Sequence, residues 1–351
     1  NITSNGELLH AVRLRDGRHH RRNLCRKVGI ERFEARHLGE HRAAAADPLP
    51  PAAALRHALA VAGHAGPAAA QDGFRETVVV TGAAVRLTGS GLGCDDWPNC
   101  NSEKLIDVSS AHAAIEQVNR LLTGIVVIAV ALAVLGSYLR APRRRDLVWW
   151  SWSLVVGVFA NAFLGAITVW VDLHPYAVQG HLLLSMALIA AGATLVRRSA
   201  EPDGVPRERV TSTRATRLIR VLAVGVTVAL ITGTVVTGAG PHAGDENAVR
   251  LNVDIPSIAR VHGASVVISL LVALGLVVVI RGSLDDRHRV QAGLSRWLTV
   301  AVLQAVVGYV QYFTGVPELL VLAHVAGASV LYVVTTQLLL DTTRPAVELV
   351  R

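Results

Sequence analysis

The chain reads as an all-α integral membrane protein, and three observations predict it. Of its 351 residues 52% are hydrophobic and 17% charged, with a mean hydropathy of +0.43, too apolar for an ordinary soluble domain. The apolar residues fall in blocks of about twenty, the length that ~30 Å of hydrocarbon requires. The second half of the chain also repeats the helical pattern of the first, which predicts two tandem four-helix bundles related by a parallel internal repeat. The first helix of that repeat looks degenerate or missing. The expected organisation is an atypical tail over 1–76, an N-terminal bundle over 77–197, a linker over 198–216, a C-terminal bundle over 217–341 and a tail over 342–351.

Taken in order, residues 1–75 are dominated by Arg, His and Ala, are interrupted by Pro48, Pro50 and Pro51, and show no sustained periodicity, which predicts disorder. Residues 1–56 hold eleven Lys+Arg against six Asp+Glu, so five of the eight net positive charges lie there. No aromatic or glycine-rich signature accompanies that charge, and a nucleic-acid partner is not expected. From Thr77 the character changes. Thr77–Val85 is only half a span, and the polar run Gln71–Glu76 interrupts the apolar stretch that a first spanning helix would need. Gly89, Gly91 and Gly93 then punctuate a loop carrying Cys94 and Cys100. Five intervening residues allow either a small disulfide-closed loop in an oxidising compartment or two reduced thiols that happen to be near.

Seven spans follow, over about 117–139, 148–170, 177–197, 217–238, 257–280, 292–314 and 318–341. The connections 140–147, 197–217 and 281–291 are rich in arginine, whereas 171–176 and 315–317 have none and 239–256 has only Arg250. The positive-inside rule makes the arginine-rich loops cytoplasmic and puts the cysteine loop outside. A plasma membrane location follows, with the lipid bilayer as the surrounding partner.

Two spans carry a histidine near their start, His262 and His324. An ionisable side chain at that depth is costly in lipid and marks a functional position. Both are followed by small residues, Gly263-Ala264 and Ala326-Gly327-Ala328, leaving room for a flat macrocycle or for close helix approach. The bland alternative is one helix-packing histidine and one lining water. Displacing the first half by 143 residues puts His181 on His324, Asn119 on His262 and Gly165 on Gly308; a displacement of 156 puts Thr81-Gly82 on Thr237-Gly238. The second half therefore has a His/His pair suited to six-coordinate ligation of a haem iron. The first has Asn119 and His181, a looser pocket for a group that must leave, with Glu116 one turn away as a proton acceptor or as a partner of Arg120. Arg120 and Arg260 could hold haem propionates or simply snorkel to the interface. Three cysteines are too few for a four-thiolate site, and a single Met disfavours thioether ligation.

Six segments, VVVTGAAVRLTGSGLGCDDWPNC, AIEQVNRLLTG, QGHLLLSMAL, VVTGAGPHAGD, RVHGASVV and LAHVAGASVL, together resemble haem A synthase of the actinobacterial type, over about residues 77–341. The resemblance implies an eight-helix membrane oxidoreductase that converts the C8 methyl of haem O into a formyl group for cytochrome c oxidase assembly, with haem O synthase as the donor of its substrate. It implies a haem b cofactor on His262 and His324, substrate at Glu116 and His181 with iron contact from His181, and a Cys94–Cys100 disulfide; the reading of the residues adds Asn119 and Arg120 to the substrate site and makes Glu116 the catalytic residue. It places the haem sites toward the extracytoplasmic side and is compatible with a homo-oligomer. Many members have His where this chain has Asn119. The alternatives are a b-type electron-transfer cytochrome and a haem carrier or transporter.

Overall fold

The computed structural model describes residues 68–346, with side chains from residue 77 onward. Eight helices follow one another: α1 Ala68–Leu87, α2 Ala111–Leu139, α3 Arg145–Trp170, α4 Pro175–Ser199, α5 Thr213–Ala239, α6 Ile255–Arg281, α7 Leu284–Phe313 and α8 Glu318–Leu340. The seven from α2 to α8 are long and apolar enough to cross a membrane, with windows of mean hydropathy from 1.3 to 2.8; they contain five of the seven predicted spans and all but the last residue of 292–314 and 318–341. The protein is an all-helical, multi-pass membrane protein. On α2, Leu121, Ile125, Ile128, Leu132 and Leu135 recur at helical spacing and are all exposed, forming a face that suits lipid.

A first helix is present and runs through Gln71–Glu76, and it is degenerate as expected in that it lacks a full apolar span. Gln, Glu and Arg are good helix formers, so this run is unfit for hydrocarbon without being unfit for a helix. The apolar part of α1 is confined to Thr77–Leu87, so the helix remains shorter in apolar length than its neighbours. Of the disorder expected over 1–75, the part over 1–67 lies outside the described residues, and the part over 68–75 is corrected, since those residues belong to α1.

Within the first half α1 packs on α2, α2 on α3, α3 on α4, and α4 back on α1; within the second, α5, α6, α7 and α8 close the same ring. The halves meet through α8 against α1 and α4, and through α4 against α5. Met186 and Ile189 of α4 bury against Val333 of α8 at that seam. The largest core lies in the second half, where Ile219, Leu222, Leu276, Leu294 and Leu338 surround Trp297. The Trp297 indole N–H donates to the Thr335 hydroxyl at 2.8 Å, satisfying a polar group that burial would otherwise leave unpaired.

Alternate helices run in opposite directions, so the ends of α1, α3, α5 and α7 share one side with the starts of α2, α4, α6 and α8. There the two long loops join: the Gly91 N–H donates to the Gly244 carbonyl at 3.0 Å. Leu173, from the α3–α4 turn, buries against Ala243 and Ala248. A Cβ on Gly91 would fall 2.8 Å from the Leu173 side chain and one on Gly244 3.0 Å from it, so both glycines leave the space that Leu173 fills. At the opposite side two short strands, β1 Arg207–Arg209 and β2 Thr343–Pro345, pair antiparallel and tie the predicted linker to the predicted C-terminal tail. Three-residue strands are too short to leave an alternating pattern, so that ladder is visible only in the fold. Buried Asp286 also accepts from the Ser212 N–H at 2.8 Å, and Ser212 in turn caps α5.

Candidate functional site

α6 and α8 each bring one histidine inward, and the structure places the His262 and His324 rings with centroids 6.4 Å apart and planes at 79°. The His262 Nδ1–H donates to the Ala229 carbonyl of α5 at 2.9 Å. Since a carbonyl can only accept, that bond fixes the tautomer and leaves the Nε2 lone pair available to a metal. His324 differs: its Nδ1 is buried without a hydrogen-bond partner, while the Gln304 amide of α7 donates to the His324 carbonyl at 2.6 Å. Each ring lies against a glycine of the preceding helix. A Cβ on Gly233 would be 3.1 Å from His262 Cε1, and one on Gly308 2.9 Å from His324 Cε1.

Imidazole nitrogens bind first-row metals at about 2 Å, which sets two rings that share one metal about 6 Å apart between centroids. The observed separation fits that requirement. Among the described residues no group of three or more His, Cys, Asp or Glu side chains is placed to hold a metal ion. The metal chemistry this pair can offer is two imidazole nitrogens to one ion. Gly263, beside His262, has open space where a Cβ would stand. Gly327, three residues after His324, has a different role, since a Cβ there would meet Gln304 Oε1.

In the first half the His181 Nδ1–H donates to the Asn161 carbonyl of α3 at 3.0 Å, and a Cβ on Gly165 would sit 3.3 Å from its Cε1. His181 is thus held as His262 is. Asn119 is held from α1: the Thr81 hydroxyl donates to Asn119 Oδ1 at 2.8 Å, and Gly82 faces the amide. In the second half Thr232 and Gly233 touch His262 in the same manner, Thr232 Oγ1 lying 3.3 Å from Nδ1. This corrects the register read from the sequence. Thr81-Gly82 corresponds by contact to Thr232-Gly233, a displacement of 151, and not to Thr237-Gly238, where Gly238 abuts Gln179 and Leu251. Both halves repeat the Thr-Gly dipeptide, and only the helix contacts show which copy faces the site.

Glu116 and Arg120 form a separate unit. Buried Glu116 accepts from the Cys94 N–H at 2.8 Å through Oε2, and from Arg120 Nη2 at 2.7 Å and Nε at 3.1 Å through Oε1. Arg120 also donates to the Asp96 and Asn99 carbonyls. A guanidinium has five N–H donors, and all five are engaged here, so none is left for an anionic substituent of a substrate. The loop they clamp is closed by a Cys94–Cys100 disulfide, with the sulfurs 2.03 Å apart. Arg260, the other anion-binding candidate, is exposed and donates to the Pro256 carbonyl and the Ser257 hydroxyl of its own helix.

The sequence pattern did not single out Asn161, Thr232 or Gln304. Two of them carried a usable signal: Asn161 and Gln304 stand at the same displacement of 143 as His181 and His324, amides in the middle of matching spans.

A family model described as "Cytochrome oxidase assembly protein" matches residues 76–336. Among curated proteins, "Heme A synthase" of Geobacillus kaustophilus is 31% identical over 105 residues, covering 30% of this chain and 32% of the relative. That of Geobacillus thermodenitrificans is 29% identical over 35% of this chain and 43% of its own length. "Heme A synthase" of Listeria welshimeri is 28% identical over 265 residues, 70% of this chain and 85% of the relative. The chain thus spans less than half the length of the first two. The match to the family model covers every helix from α2 to α7, most of α8 and the apolar part of α1, and by it the chain belongs to the cytochrome oxidase assembly protein family.

Proposed function

We propose that this protein is a haem A synthase that oxidises the C8 methyl of haem O to a formyl group, with a resident haem b between His262 and His324. The observation that carries the reading is the 6.4 Å separation of two inward imidazoles, one of them with its tautomer set by a backbone carbonyl. A bound haem would supply one-electron redox chemistry. The residues of this chain supply position. Ala229 orients His262, Gly233 and Gly308 let both rings lie against helix backbone, and Gln304 ties α7 to α8 beside His324.

The substrate site belongs, on this reading, to the first half, where His181 offers one imidazole and Asn119 a weak neutral ligand in place of the second. A site with a single strong ligand releases its occupant more readily than one with two. Glu116 then acts as a positioning residue. Its carboxylate holds the disulfide loop over the start of α2, and it could take a proton only by weakening its bonds to Arg120 or Cys94. Both sites lie at the end bearing that loop, which the arginine distribution assigns to the extracytoplasmic side of the plasma membrane. Haem O synthase is the expected donor, and cytochrome c oxidase the destination.

Purification from haem-replete membranes should give a low-spin haem spectrum, and incubation with haem O and an electron acceptor should yield haem A on pigment analysis. Haem O returned unchanged by a coloured protein would leave an electron-transfer cytochrome as the reading. A colourless preparation would remove haem from the account.

A further inference from the structure

α1 ends in Arg86, one turn beyond Gly82. Its Nε donates to the His242 carbonyl at 2.6 Å and its Nη2 to the Thr237 carbonyl at 2.9 Å, so a side chain of the first half is pinned to the backbone of the second. Among the described residues no carboxylate forms an ion pair with it. Arg250 instead adds like charge nearby, its own guanidinium donating to the Ala248 and Pro241 carbonyls. A partly buried guanidinium bonded only to carbonyls is stabilised by a counter-charge.

Arg86 lines a cavity with Leu173, Val178, Gln179, Gly238 and Val249. Within it the Gln179 Nε2 is buried with no hydrogen-bond partner. It lies close against the backbone of the second half, since a Cβ on Gly238 would fall 2.7 Å from it. An unspent amide donor and an uncompensated guanidinium thus share one small space with apolar walls. We propose that Arg86 and Gln179 form an oxyanion site at the junction of the two halves, taking a carboxylate or phosphate oxygen. Gln179 stands two residues before His181 on α4, and Gly238 five residues after Gly233 on α5, so the site is built on two helices that also carry parts of the polar pairs. Two sources fit that chemistry: a carboxylate side chain of a macrocycle held in either half, which rests on the function proposed above, and a lipid headgroup phosphate, which does not.

Thermal unfolding of the whole chain in detergent, with phosphate or propionate titrated against chloride at constant ionic strength, tests the site directly. Either oxyanion should raise the midpoint, and Gln179→Leu should weaken the apparent affinity roughly tenfold, the worth of one hydrogen bond to a charged group. This variant touches none of the bonds Arg86 makes. Arg86→Lys keeps the charge but loses the fork, and should weaken it too. No oxyanion dependence in the wild type, or the same dependence in Gln179→Leu, overturns the site whether or not the chain binds haem. Titration with haem and with its dimethyl ester then identifies the source. A preference for the free acid that Gln179→Leu abolishes assigns the site to the macrocycle. Equal binding of acid and ester, with phosphate dependence intact, assigns it to lipid. A colourless protein that keeps the oxyanion dependence would sink the haem reading and leave this site standing.

Discussion

The two halves present different side chains on one scaffold. In each, a polar side chain on the second helix and another on the fourth lie against glycines of the preceding helices. The C-terminal half fills both positions with imidazole and holds the rings 6.4 Å apart; the N-terminal half fills them with Asn119 and His181. The first half adds what the second lacks. At the displacement of 143, Glu116 and Arg120 correspond to Ala259 and Gly263, so the clamp on the disulfide loop has no counterpart. The loops differ accordingly, with 38 residues separating Thr81 from Asn119 but 30 separating Thr232 from His262. The difference teaches that backbone and glycine spacing set the cradle, while the side chains at two positions set which ligating atoms it offers.

Breaking that comparison outright takes the histidines. His262→Ala and His324→Ala should each abolish the low-spin haem spectrum, whereas His181→Ala should leave it intact; equal loss in all three would refute the division of labour. Next in size is the clamp. Glu116→Gln leaves Arg120 beside a neutral amide and should destabilise the N-terminal half by about 3 kcal/mol, as breaking a buried ion pair does, read by chemical denaturation. Loss of turnover with unchanged stability would instead return Glu116 to direct proton transfer.

A glycine series sharpens the cradle. The distances a new Cβ would find are 2.9 Å at Gly308, 3.1 Å at Gly233, 3.3 Å at Gly165 and 3.9 Å at Gly82. Alanine at Gly308 should cost about 1–3 kcal/mol by overpacking and displace His324, while at Gly82 the gain of about 0.5–1 kcal/mol in helix preference should prevail. Thermal midpoints should rank in that order, and a flat series would mean the rings move aside freely. Smallest is the contrast between helix caps. Ser110 caps α2 and Asp254 caps α6, each accepting from an N–H three residues on. The Ser257 hydroxyl and N–H hold the Asp254 carboxyl below the usual carboxylate range. Its capping is therefore complete above that range and is lost as pH falls through the lowered value. Ser110→Ala should cost about 1 kcal/mol at any pH. Asp254→Ala should matter near neutral pH and cease to matter in acid.

Much of this was legible in the chain because it is local. Twenty apolar residues cross a bilayer whatever their neighbours, so the spans from α2 to α8 could be read one at a time, and an ionisable residue within such a run announces itself, as His262 and His324 do. Less legible was α1, whose polar first turns forbid hydrocarbon without forbidding a helix. The register of Thr81-Gly82 was ambiguous because the dipeptide recurs in both halves. Arg120 looked free for an anion because nothing local shows that the Asp96 and Asn99 carbonyls fold back onto it.

By itself the sequence determined the membrane class and the number of long spans and marked the two histidines, all of which follow from apolar length and from the cost of charge in lipid. Only the tertiary structure decided which glycine faces which ring, that Glu116 is tied to a loop, and that Arg86 reaches across to the other half. Those outcomes depend on which donors and acceptors remain unsatisfied after helices pack, and that is settled between segments far apart in the chain.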